Sequence, residues 1–127
     1  MAFNDPAEKA LTRLEVRRYV GRCENNEGLV QRADSLRELS RLAAMTIPNK
    51  VAGEFEARDA QRRLVMAVEE RAKALIGEQI AALLKSEGDR RASQRGKIIE
   101  DWANLTGPLG HLRTWAKGKL IQAEQSA

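Results

Sequence analysis

The chain has 127 residues, 43% of them hydrophobic and 31% charged, with only three prolines. That length suits one domain with a modest core, and that balance excludes both a disordered tail and a membrane-embedded chain. The 22 Lys/Arg outnumber the 18 Asp/Glu unevenly: residues 85–127 carry 8 basic against 5 acidic, residues 1–84 carry 14 against 13.

Ala, Leu, Arg, Glu, Lys and Gln dominate, and these residues lose least on entering a helix. The expectation is an all-α fold over residues 1–127. It is a helical bundle of about five helices organised around one long central helix.

The first helix is predicted over 6–23. Asp5 is placed to cap it, and Pro6 suits its first turn. Ala7, Ala10, Leu11 and Leu14 share one face, while Val16, Tyr19, Val20 and Cys23 share the opposite one. A helix with two apolar faces has two surfaces to meet, the second being another helix of the chain or a second copy. Glu24-Asn25-Asn26-Glu27-Gly28 reads as a break.

The second helix is predicted over 28–45, with Leu29, Ala33, Leu36, Leu39 and Ala43 as its stripe. Pro48 disfavours helical geometry before it and ends this segment. The third and longest helix is predicted over 49–86, with a length above ~50 Å, so it is expected either to bend at Gly53 or Gly77 or to project and meet a partner. Glu54/Arg58, Asp59/Arg63 and Glu69/Lys73 are pairs one turn apart in the favourable order. Asp89 is placed to cap the fourth helix, over 89–105. Thr106-Gly107-Pro108 turns the chain into a fifth, over 108–123.

Residues that carry chemistry are sparse. His111 is the only histidine and Cys23 the only cysteine, so neither a metal set nor an intrachain disulfide can be assembled from them. The acidic clusters have basic neighbours one turn away and read as solvated helix faces. No catalytic, cofactor or metal residue is expected, and the chain is read as a non-enzyme. The N-terminus has neither a leader nor a membrane-span pattern, and with a single cysteine the expected setting is the reducing cytoplasm.

The functional question centres on Lys85–Trp102, "KSEGDRRASQRGKIIEDW". On a helix, Arg91, Arg95, Ile98, Trp102 and Leu105 fall on one line, and Arg90, Gln94, Lys97 and Asp101 on another. Lys97 and Asp101 have the spacing of a pair. One reading lays the two arginines on the core and pairs them with acids of the second or third helix. Another makes Arg91, Arg95 and Trp102, with Arg90 and Lys97, a docking edge for an acidic protein surface. The chain is then a small helical adaptor, inhibitor or chaperone acting by protein–protein interaction, with self-association open to it. The alternative is a small basic nucleic-acid-binding protein. It uses the helices at 89–105 and 108–123 as a helix-turn-helix-like pair, with Lys85, Arg113, Lys117 and Lys119 contacting nucleic acid.

Overall fold

The computed structural model describes residues 6–126. Among them are five α-helices and no strand: α1 (Pro6–Leu29), α2 (Leu36–Ala43), α3 (Phe55–Leu84), α4 (Gly88–Asp101) and α5 (Leu112–Ser126). Short 3₁₀ turns link them. The all-α fold around a long third helix is the one the composition predicts. Asp5, the expected cap of α1, lies outside the described residues.

The first two helices trade length against expectation. α1 runs straight through Asn25, Asn26 and Gly28 and ends at Leu29. Packing overrides the local break signal here. The Asn26 side chain donates to the Leu42 carbonyl at 3.2 Å, and the following Val30 is buried. The chain turns at Ala33, whose carbonyl accepts from Arg71 Nε at 3.2 Å. α2 therefore starts only at Leu36. Ser35 is extended, and its hydroxyl accepts from the Glu38 amide at 3.1 Å, which caps the helix. α2 ends at Ala43, and the Met45 carbonyl beyond it accepts from Tyr19 Oη at 3.1 Å and Gln61 Nε2 at 2.7 Å.

α3 is the axis of the bundle, and α1, α2, α4 and α5 all pack on it. Its 30 residues give ~45 Å, shorter than predicted because residues 49–51 form a separate 3₁₀ turn and Gly53 lies before the helix. Gly77 sits inside an unbroken helix. Ala57, Leu64, Val68, Ala72 and Ile76 are wholly buried along its inner face. The alanines keep that face low and let neighbouring axes approach. α1 runs parallel to α3: Arg13 pairs with Glu56 near both starts, and Arg71 reaches Ala33 farther along. α4 folds back antiparallel, with Arg91 near Leu84 and Trp102 near Gln79.

Gly88 and Gly107 have φ of 60° and 54°, in the left-handed region that favours glycine, and they make the turns before and after α4. α4 begins at Gly88 with Glu87 before it, so Asp89 lies in the first turn and does not cap. The α-helix ends at Asp101, with Trp102–Asn104 a 3₁₀ turn. Gly107–Leu109 is a second 3₁₀ turn, which delays α5 to Leu112 and moves its end to Ser126.

Candidate functional site

The line Arg91, Arg95, Ile98, Trp102 and Leu105 does face the bundle. Trp102 and Leu105 are buried, and Arg91, Arg95 and Ile98 are half-buried. Each polar group on it is engaged within the chain. Arg91 donates from Nε to the Ser86 carbonyl at 2.7 Å and from Nη2 to the Leu84 carbonyl at 2.8 Å. It satisfies carbonyls that the last turn of α3 leaves without amide partners. Arg95 grips Glu124 of α5 through two hydrogen bonds, 2.9 and 3.1 Å. This contact holds the Glu124 carboxyl below the usual carboxylate range. It also raises the Arg95 guanidinium pKa.

Trp102 donates from Nε1 to Gln79 Oε1 at 2.9 Å, and Gln79 Nε2 donates to Asp101 Oδ2 at 2.8 Å. The other Asp101 oxygen accepts from Asn104 Nδ2 at 3.0 Å. Asp101 thus belongs to a polar knot that ties α4 to α3, and the expected Lys97–Asp101 ion pair is absent among the described residues. The partners of the two arginines are likewise not acids of the second or third helix. One is a pair of backbone carbonyls and the other is an acid of α5. Ser40 was not anticipated either. It is buried on α2, donates to the Asn104 carbonyl at 2.7 Å and accepts from the Thr106 amide at 3.3 Å.

The remaining cations of the basic third divide. Lys85, Arg90, Lys97 and Lys117 are exposed and make no ion pair among the described residues. Arg90 and Lys97 lie two turns apart on one line of α4. Arg113 is committed through Nε to the Leu105 carbonyl at 2.8 Å. Lys119 lies over the Trp115 ring at 5.8 Å, with Lys73 over the same ring at 5.3 Å. Lys117 and Lys119 sit on opposite edges of α5, so that helix presents no single row of basic readers.

A second surface lies on α1. Its inward face is Val16, Tyr19 and Cys23, all wholly buried. Its outward face carries Leu11, 58% exposed, and Leu14, 41% exposed. No described element covers them. Arg17 and Arg18 flank this face, and neither makes an ion pair among the described residues. Glu15 pairs with Lys50 at 3.5 Å and Glu56 with Arg13 at 3.0 Å, while the exposed Glu8, one turn before Leu11, makes no ion pair among the described residues. The two-sided pattern of the sequence located this face. What the sequence left undecided was whether the same chain buries it.

The two reactive residue types do not meet. Cys23 is buried, and burial pushes its thiol pKa up, with Tyr19 and Arg63 as neighbours. His111 is exposed, with Nε2 at 3.5 Å from Glu69. Among the described residues no group of three or more His, Cys, Asp or Glu side chains is placed to hold a metal ion, and no helix is long and apolar enough to cross a membrane. No protein-family model matches the chain, and no match was found among curated proteins or solved structures.

Proposed function

We propose that the chain is a non-enzymatic helical binding protein that acts by docking on another protein through the outward face of α1. The observation that supports this reading is the exposure of Leu11 and Leu14 on a helix whose other face is already buried. An uncovered apolar pair on an ordered helix is the usual mark of a contact surface. The unpaired Arg17 and Arg18 beside it favour a partner with an acidic rim. They disfavour a second copy, which would bring the same cations together. The docking edge read from Arg91, Arg95 and Trp102 loses its free donors to internal contacts and becomes part of the scaffold. The test is capture from a lysate of the source organism, with and without nuclease. The expected result is one acidic protein retained in both.

A second reading rests on Lys85, Arg90, Lys97 and Lys117, which are exposed and unpaired. It makes the chain a nucleic-acid-binding protein. The α4 cations and the α1 cations lie toward opposite ends of α3, ~40 Å apart. This reading requires duplex or single-strand retention at about 50 mM salt that falls steeply as salt rises. Absence of retention there eliminates it.

A further inference from the structure

α5 and α3 enclose an open trough of about 410 Å³, lined by Ile76, Gly77 and Ile80 on one side and by Trp115, Lys119 and Ala123 on the other. It shares no residue with the α1 face. Three features distinguish it from an ordinary interhelical furrow. Its walls are mostly apolar, yet one end carries the Lys119 ammonium, which has no acidic partner among the described residues. Lys73 lies over the same Trp115 ring, outside the trough lining, and pairs with Glu69 at 3.5 Å. The Trp115 indole N–H donates to no group among the described residues, whereas Trp102 N–H is fully used. Gly77 opens the wall, because a side chain built there meets nothing within 4 Å.

Size and charge select the occupant. A stable protein interface engages roughly 20–30 residues a side. The trough is walled by eight, which is too few for a docked helix but in the range of a small-molecule pocket. From Trp115 to Ser126 it follows α5 for ~16 Å. Lys119 is its one charged group, Gln122 and Ser126 edge it along α5, and the remaining lining is apolar or glycine. We infer that this trough binds a single-chain anionic amphiphile of the alkanoate class. The carboxylate sits at Lys119 and the Trp115 N–H, and the tail lies between Ile76, Ile80 and Ala123.

The experiment is titration of the full chain with octanoate and decanoate below their micelle concentrations, followed by calorimetry and tryptophan emission. Trp102 is 1% exposed, so Trp115 reports the ligand. Saturable binding is expected, tightening about fourfold per added CH2. Lys119→Gln, on the solvent edge of α5, should weaken it about tenfold. Gly77→Leu should abolish it by filling the trough, without lowering the melting temperature, since the site is open and helical. Nonyltrimethylammonium, with the same alkyl tail as decanoate and the opposite charge, should bind at least tenfold more weakly. Overturning results are no saturable binding, decanoate binding unchanged in both variants, or equal binding of the cationic amphiphile. Tighter binding of an acidic amphipathic peptide in competition with decanoate also overturns the inference and assigns the trough to a protein.

Discussion

Arg91 and Arg95 stand one helical turn apart and stabilise the fold by different means. Arg91 supplies two donors to the carbonyls that end α3, at 2.7 and 2.8 Å. Removing both by Arg91→Ala should cost ~1–2 kcal/mol in a urea titration. Arg91→Lys should recover less than half of that, because an ammonium lacks the planar fork that meets both carbonyls. Arg95 and Glu124 have side chains 40% and 32% exposed, so Arg95→Ala should cost only about 0.5 kcal/mol. The pH dependence has a defined sign. The folded Glu124 carboxyl titrates below its unfolded value because Arg95 hydrogen-bonds its charged form. That contribution is fully present above the unfolded carboxyl pKa and is lost as pH falls through the folded one. An NMR titration should place the Glu124 midpoint below that of an ordinary glutamate, and Arg95→Ala should return it. The inward line of these arginines was legible from spacing alone. Their partners were not: Glu124 lies 29 positions away, and no local pattern points to it.

At the scale of elements, the fold turns on a few backbone positions. α2 has eight residues, too few to persist without its cap and its packing. Ser35→Ala should therefore cost ~1 kcal/mol. The two glycines flanking the end of α3 should respond oppositely. Gly77→Ala, mid-helix and open, should stabilise by ~0.5–1 kcal/mol. Gly88→Ala, at φ 60°, should destabilise by ~1 kcal/mol. Thermal melts of the two variants beside the wild-type chain check both signs. Ser35-Leu36-Arg37-Glu38 carries the spacing of a capping box, so the start of α2 was written in the sequence. The Asn25-Asn26-Glu27-Gly28 break signal drew the boundary too early, because Asn26 gains a carbonyl of α2 that only the folded chain provides.

For the whole molecule, charge and exposed apolar surface lead to one account. Exposed cations with no ion pair among the described residues lie on every helix: Arg17 and Arg18 on α1, Arg37 and Arg41 on α2, Arg58 on α3, Arg90 and Lys97 on α4 and Lys117 on α5. The uncovered leucines are on α1. Composition made the all-α class legible, and the opposed apolar faces of the first helix marked one buried and one exposed side. Whether the outer face met another part of the chain depended on where α2 and α3 pack, which periodicity does not encode. Because Arg17 and Arg18 beside the outer face would meet their own copies, light scattering should report a particle of 14.2 kDa. Complex formation with the acidic partner should weaken as salt screens the rim. The most direct measurement compares capture of that partner by the wild-type chain and by Leu11→Glu/Leu14→Glu after nuclease treatment, with urea midpoints measured alongside. The account predicts that the variant keeps its midpoint and loses the partner. Equal capture by both chains, or loss of the partner from the wild type on nuclease treatment, would contradict it.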